Sequence, residues 1–487
     1  MKKVKKRFIS NIIFNVIALI STALALVFCV YIYKLDMIPS KYLNIAFIVI
    51  GVIYLILLLL TLPRKLKRKI KLVCCVLFII NALVFGFGIK YSDKTIDFLE
   101  NVGDELRQKE EYDVKVLNKS SITSKEGLKG KKIGIFKNDS YDDVVKYLKK
   151  DVDCEIIDYS DAVKFFEDLA DGTIDAVIAS NNVYDLLGED LSYMKLELKN
   201  VHIVGVPIKG EINEVVKVVD VTNTPFNIYI AGGDKEGSIN KVMNTDVNMI
   251  VSVDPINHKL LLTSIPRDYY VNLPSKGEDV YDKLTHAGYY GVQESIKAVE
   301  KLLDIEINYY AKVNFTTIEK VVDAIGGVDV NSDFAFKFSD SDRGLYFSYN
   351  KGMNHLNGKQ ALGFARERES FSDGDVQRVK DQQKVIDAVI SKVASSKDIL
   401  LYRYEDILKA VSANFATNLD GKTISRIVKM QLSDMRGWKS ESQNLVGTSA
   451  TSNKCYSIPN MNLYVMKPKA ESVQANSQKI KDFLSNK

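Results

Sequence analysis

The chain has 487 residues, is 46% hydrophobic and 26% charged, and carries a formal charge of +5 at pH 7. Residues 1–94 hold fifteen Lys or Arg against Asp36 and Asp93, a net +13. The remaining −8 excludes nucleic acid as the partner of the large C-terminal part, because a binder shows its basic footprint on the domain that binds. The five cysteines, of which only Cys154 and Cys455 lie outside the first ninety residues, exclude a disulfide framework and show no zinc spacing.

Three apolar runs open the chain at about residues 8–33, 42–62 and 72–89, each near the length that crosses a hydrocarbon core of ~30 Å. Five basic residues precede the first run and six separate the second from the third, whereas the loop 34–41 holds two. The positive-inside rule then predicts a cytoplasmic N-terminus, three transmembrane helices and an extracellular body after about residue 90. The basic residues read as topology signals and contacts to anionic lipid.

The body divides at a seam near residue 222, giving an anchor at 1–94, an accessory α/β domain at 95–222, a second domain at 223–475 and a polar tail at 476–487. From Lys131 apolar runs (KKIGIF, CEIIDY, DAVIAS) alternate with helical stretches at 141–149 and 161–170, which predicts βαβ units and a small parallel sheet. The β-branched stretch EVVKVVDVTNTP reads as a connecting strand that ends at Pro225. The second domain opens on the apolar strand FNIYIAGGD, with Gly232, Gly233 and Asp234 expected as a turn at its C-terminal end, where ligands collect in open α/β sheets.

MIVSVD and KLLLTSI predict a hairpin joined through Pro255 to His258. Helical periods follow at 292–303, in IEKVVDAIGG before a strand VDV, at 377–393 and around 404–413, and NLYVMKP reads as a last strand.

What distinguishes this domain is charge set within or next to apolar segments. Arg267 and Asp268 follow directly on LLLTSIP, where a buried charge requires a partner. Arg366 and Arg368 follow GKQALGFA with one residue between them, and an extended backbone would aim both to one face, where they repel unless an anion lies between them. On the helix that opens at Asp375, the 100° step puts Asp375, Arg378 and Gln382 within about 60° of one another and of Ile386, which places them at the rim of the core. Taken singly, these are an N-cap, a rim salt bridge and a solvated pair. Of the four histidines, only His286 lies in a motif, and a structural role suits it better than a catalytic one.

The motifs IAGGD, TDVNMIVSVDP, LLTSIPRD, KLTHAGYYG, VNFTTIEKVVDAIGGVDV, LNGKQALGFARER and GDVQRVKDQQ, in that order over about residues 226–469, resemble the LytR-CpsA-Psr proteins. With its three spans and intervening α/β module the chain is most similar to the capsule-linked branch of that family. The resemblance implies an α-β-α sandwich with a central mixed sheet. It also implies a phosphotransferase that moves capsular polysaccharide, or a related anionic glycopolymer, from a polyprenyl pyrophosphate carrier to peptidoglycan in a Gram-positive wall. Carried to matching positions, it implies magnesium, or manganese, on Asp234 and Asp246. Pyrophosphate would lie on Arg267, Arg366, Arg368 and Arg378 with Gln382 and Lys283, and Asp246 or Asp268 would act as the base.

Two such carboxylates with phosphate and water suffice for magnesium, and Arg grips phosphate bidentately. The Phe, Ile and Val of 311–338 are expected to line a pocket for the prenyl chain. Many relatives have a basic residue where this chain has Asp381, which removes one phosphate contact from the implied set. Other readings of the same site are a regulator that senses lipid-linked sugar and a pyrophosphatase acting on the carrier. Capsule polymerase and export proteins are the implied neighbours.

Overall fold

The computed structural model describes residues 2–61, 68–101, 109–136, 141–180, 183–184, 196–207, 217–233, 244–341, 343–372, 374–403, 406–407, 409–410 and 415–485. It divides into two compact units, residues 1–104 with 393–408 and 419–437, and residues 105–392 with 409–418 and 438–487.

In the first unit, helices α1 (Lys2–Leu35), α2 (Ser40–Thr61) and α3 (Arg68–Asn101) each contain a stretch long and apolar enough to cross a membrane. Leu19, Leu72 and Leu83 point outward, as expected of helices that are apolar all round. Phe14, Leu57, Cys74 and Phe78 pack between the helices, and the Ser21 and Tyr54 hydroxyls hydrogen-bond at 2.6 Å.

Helix α3 continues well past residue 89, where Lys90, Asp93 and Lys94 end the apolar run. Ser92, Thr95 and Leu99, spaced along one face, are buried in this continuation. Beside it lies the helix Gly421–Asp434, whose Gly421 has no room for a side chain: a Cβ there would stand 2.3 Å from the Leu99 carbonyl oxygen. A late segment of the chain thus packs on the extension of the third apolar helix.

The second unit begins with a five-stranded sheet in the order β3-β2-β4-β1-β5. Its strands are β1 (Lys109–Leu117), β2 (Lys132–Phe136), β3 (Glu155–Tyr159), β4 (Ala176–Ser180) and β5 (Leu198–Pro207), with helices α4 (Tyr141–Asp151) and α5 (Ala162–Asp171). The three expected strands β2, β3 and β4 are parallel, and β1 and β5 add an antiparallel edge. The strand expected in EVVKVVDVTNTP is not formed over its described part. Asp220 instead holds a turn through its carbonyl and carboxylate, accepting from the backbones of Asn223 and Thr222, while β5 occupies the sheet edge.

The larger part of this unit is built on a six-stranded mixed sheet, β16-β11-β6-β7-β8-β17. In chain order its elements are β6 (Phe226–Gly233), β7 (Val247–Asp254), β8 (Lys259–Ile265), the short pair β9 (Tyr270–Asn272) and β10 (Tyr281–Lys283), α6 (Val292–Leu303), β11 (Tyr309–Asn314) and α7 (Phe315–Ala324). Then come β12 (Val328–Ser332), β13 (Phe336–Asp340), β14 (Leu345–Tyr349), β15 (Gly352–Leu356), α8 (Gly358–Arg366), α9 (Gly374–Ser395), β16 (Phe415–Thr417), β17 (Lys439–Asn444), β18 (Gly447–Ser452), β19 (Leu463–Pro468) and α10 (Ala470–Leu484). The expected β7–β8 hairpin is present, with Asp254 opposite Lys259.

Strand alternation sends Tyr229, Ala231, Ile250, Leu261 and Tyr310 to one face, where they form a core with Ile296, Val299 and Leu303 of α6 and Ile480 of α10. The alternate residues Ile228, Ile230, Val247, Val251, Ala311 and Val313 face α7 and α9. The architecture is therefore the α-β-α sandwich with a central mixed sheet.

Two further local expectations fail here. The polar tail is the second half of α10, because Val473, Ile480 and Leu484 recur at helical spacing and reach the core. Gly232 and Gly233 do not make a turn but end β6, where Gly232 is required by close approach: a Cβ would lie 2.8 Å from that of Val247.

Candidate active site

Strands β6, β8, β11 and β17 end, and β7 begins, at the same end of the sheet. Three loops meet there. The Thr285 backbone N–H donates to the Arg267 carbonyl at 2.8 Å, and that of Thr245 to the Thr285 carbonyl at 3.2 Å, so the TDVN, PRD and KLTHA motifs are tied through their main chains. This tie sets Asp246, Arg267, Asp268 and Lys283 side by side. Arg267 Nη1 donates to Asp246 Oδ1 at 2.8 Å, Arg267 Nε lies 3.5 Å from Asp268 Oδ2, and Lys283 Nζ lies 3.3 Å from Asp268 Oδ1. Two cations and two anions alternate in one cluster that is mostly shielded from solvent.

Lys283 is held from beneath. Its backbone N–H donates to Asp282 Oδ1 at 2.7 Å, and the same fully buried carboxylate lies 2.7 Å from His286 Nδ1 and accepts from the Ser457 N–H at 2.6 Å. His286 is likewise buried, against Asp282 and the Ser457 hydroxyl. Nearby Cys455 is fully buried, and its thiol is pushed up to about 12 by burial and by Asp282, which keeps it unreactive.

Arg366 and Arg368 are not on a strand. Asn357 caps α8 through a capping box with Gln360, and Arg366 is the last residue of that helix. Gly358 and Gly363 let α8 approach its neighbours closely, since a Cβ on Gly358 would lie 2.1 Å from the Glu319 carbonyl oxygen and one on Gly363 2.8 Å from the Phe338 ring. Arg366 Nη1 donates to Asp340 Oδ2 at 2.7 Å, and Arg343 Nε stands 3.9 Å from the same oxygen. Burial raises the Asp340 carboxyl, but the Arg366 bond, the Arg343 N–H and the charge of both guanidiniums together outweigh it and hold the group below the usual carboxylate range. Arg368 follows in extended backbone after Glu367 and is exposed. Asp340 carries no signal that sets it apart in sequence beyond its place at the end of a strand.

Beneath the α7 and α9 side of the sheet lies an apolar cavity of ≈ 350 Å³. Its walls include Ile230 and Val313 from the sheet, Ile318 from α7 and Ile386 and Val389 from α9. The expected contribution of 311–338 is present as Ala311 through Val321, but Phe334, Phe336 and Phe338 are not part of the wall, and β6, β7 and α9 are among the elements that supply the rest. At its polar end the lining residues are chain neighbours of the charged ones: Val247 adjoins Asp246, Ala365 adjoins Arg366, and Gln382 lies one turn after Arg378 on α9. Gln382 thus continues the apolar stripe of Ile386, as its helical angle requires, with half-buried Arg378 on the same side.

Asp381 turns the other way and is buried. It accepts from Gln377 Nε2 at 3.0 Å with Lys384 Nζ at 3.7 Å, and burial pushes its carboxyl up to about 6. It is absent from the cavity wall.

Asp234 lies outside the described residues. Among the described residues no group of three or more His, Cys, Asp or Glu is placed to hold a metal. Asp246 fits a hard cation that takes only one or two protein carboxylates and completes its shell with phosphate oxygens and water, and it does not fit a zinc site.

Residues 193–481, more than half of the chain, match the model of the LytR_cpsA_psr family. Over 196 residues the chain is 40% identical to the polyisoprenyl-teichoic acid–peptidoglycan teichoic acid transferase TagU of Bacillus mycoides, covering 40% of this chain and 60% of that protein. The TagU of Bacillus licheniformis is 35% identical over 204 residues, covering 41% and 62%. The chain thus spans about 60% of the length of the curated relatives it matches. Among solved structures, B. subtilis TagV is 27% identical with a TM-score of 0.45, covering 54% of this chain and 98% of that one. A structure of TagT bound to LIIa-WTA is 28% identical with a TM-score of 0.43, covering 55% and 94%. The chain belongs to the LytR-CpsA-Psr family.

Proposed function

We propose that this chain is a membrane-anchored transferase that moves a phosphate-bearing glycopolymer from a polyprenyl pyrophosphate carrier to peptidoglycan. The observation that carries this reading is an apolar cavity whose lining residues Val247 and Ala365 adjoin Asp246 and Arg366 in the chain, since few ligands other than a prenyl pyrophosphate combine a long hydrocarbon with adjoining phosphates. The names of the TagU relatives support the same class of transfer.

In this reading the prenyl chain enters between the sheet and α9, and Arg267, Arg366 and Arg378 grip the pyrophosphate with Gln382 and Lys283 beside them; exposed Arg368 reaches the outer phosphate. Asp246 and Asp234 would hold magnesium, or manganese, and the bound cation would neutralise charge on the phosphate oxygens. A sugar hydroxyl of peptidoglycan attacks the phosphorus nearest the glycan, forming a new P–O bond as the bond to the bridging oxygen breaks and polyprenyl phosphate leaves. With Asp246 assigned to the cation, Asp268 is the carboxylate that takes the hydroxyl proton, and Lys283 positions it.

The basic loops of the anchor orient the cluster to the outer side of the membrane. The three-helix anchor and the five-stranded α/β module, both of which begin before the matched region, support capsular polysaccharide as the glycopolymer, with capsule polymerase and export proteins as neighbours.

The test is release of polyprenyl phosphate from a polyprenyl pyrophosphate glycan by the full chain in detergent, with peptidoglycan present, comparing wild type, Arg267→Ala and Asp246→Ala with magnesium and with chelator. The expected result is metal-dependent release with glycan recovered on peptidoglycan, lost in both variants. Release without glycan on the wall would assign a hydrolase, and tight carrier binding without turnover a sensor.

A further inference from the structure

Helix α9 is flanked by two cavities of different chemistry. Arg378, Gln382, Val385 and Val389 belong to the side that faces the apolar cavity. Lys380, Gln383, Lys384 and Asp387, spaced by three and four residues, lie about half a turn away and line a second cavity, also of ≈ 350 Å³. Its opposite wall is the edge strand β17, where Ser440, Ser442 and Asn444 share one face by alternation.

The position of this second cavity relative to the charged cluster follows from the register. Strands β17 and β8 run parallel, and Asn444 pairs with Ser264, three residues before Arg267. Gln383 fastens the floor at that point, donating to Ser264 Oγ at 2.9 Å, Asn444 Oδ1 at 2.8 Å and the Gln443 carbonyl at 3.0 Å. The wall of the polar cavity therefore runs along β17 and reaches the end of the sheet that carries Arg267.

Its chemistry excludes several ligand classes. Two lysines are balanced by Asp387 and Glu441, so there is no net positive field for an anion, and among the described lining residues Leu262 is the one apolar side chain, too little for a prenyl chain. What remains are hydroxyls, amides and paired charges that both donate and accept. Asp387 adds a carboxylate to the wall; its Oδ1 is buried without a hydrogen-bond partner among the described residues and meets a ligand hydroxyl only when the side chain turns into the cavity. A buried carboxylate oxygen needs a donor, and a ligand hydroxyl supplies one.

We infer that this cavity between α9 and β17 binds the saccharide backbone of the acceptor, a peptidoglycan glycan strand, and leads its hydroxyl to the phosphate cluster. The inference rests on the transferase reading for the identity of the saccharide, and on the cavity for its place.

Binding of peptide-free peptidoglycan glycan fragments, and separately of free stem peptide, is measured by calorimetry on the full chain in detergent, for wild type, Ser442→Arg and Asp387→Ala. Ser442 is exposed on the edge strand, so Arg fills the cavity without entering the core, and Asp387→Ala removes the carboxylate from the wall. Both variants are expected to weaken glycan binding at least about tenfold, with carrier affinity unchanged. No saturable glycan binding by wild type, equal binding by all three proteins, or binding of the stem peptide in place of the glycan overturns the inference. Glycan binding lost in both variants while wild type releases no polyprenyl phosphate upholds the cavity and sinks the proposed transferase.

Discussion

Arg267 Nη1 donates to Asp246 Oδ1 at 2.8 Å, joining the residue that follows β8 to the one that precedes β7. The contact orients the guanidinium fork without burying it, because the Arg267 side chain keeps 32% of its exposure. An anion can thus be received with the fork already aimed. Arg267→Ala should lower kcat/KM for transfer by about 10²- to 10⁴-fold, the range for loss of a pre-aimed donor to developing charge. Arg267→Lys, which keeps the charge and loses the fork, should fall between. Steady-state release of polyprenyl phosphate measures both, and equal rates for Lys and Ala would mean that the fork and not the charge is what the reaction uses.

The apolar cavity makes a prediction of opposite sign for stability and binding. Val389→Trp adds bulk into space that no side chain fills, so the melting temperature should hold or rise while affinity for a prenyl pyrophosphate falls at least about tenfold. Carrier titration and thermal melting of the same preparation separate the two effects. Unchanged carrier affinity would place the lipid elsewhere.

Asp282 holds the loop that presents Lys283. Its carboxylate accepts from the backbones of Lys283 and Ser457 and sits against His286, all out of solvent. Asp282→Ala strands those groups and should cost roughly 2–4 kcal/mol, with Asp282→Asn milder because one acceptor oxygen remains. Denaturant midpoints of the full chain in detergent report the loss. A midpoint equal to wild type in Asp282→Ala would show that water replaces the carboxylate.

Most of the strand and helix order could be read from period and punctuation, since the β7–β8 hairpin, α6 and α9 carry unambiguous patterns. The half-buried rim position of Arg378 and Gln382 followed from angle alone. Tertiary relations were less legible. Arg366 reads as extended because its segment is flanked by charges, yet the capping box at Asn357 starts a helix that ends on it. Its partner Asp340 comes from a hairpin twenty-six residues earlier in the chain, a pairing that local pattern does not encode. The cavity wall draws on β6, β7, α7 and α9 together, and its emptiness is a property of how those elements sit, so composition pointed only to the 311–338 share. Helix α10 was hidden by its polar majority, although three apolar residues at helical spacing suffice to seat it.

Asp381 gives a pH signature. Burial raises its carboxyl from the usual 3.8 to about 6, against the weaker pull of Lys384 and Gln377. Between about pH 4 and 6 the folded chain then holds a proton that the unfolded chain releases, so this group's contribution to stability falls as pH rises through that window and is constant above it. Asp381→Asn keeps the contact with Gln377 and has no charge to bury. It should be more stable than wild type by on the order of 2 kcal/mol above pH 6, with the gap closing by about pH 4. Lys384 remains paired with Asp333 at 2.6 Å in the variant, so the difference between the two melting curves isolates the buried carboxyl. A gap that stays constant with pH, or one that favours wild type near neutrality, would mean that the Lys384 attraction outweighs burial and that Asp381 is ionised throughout.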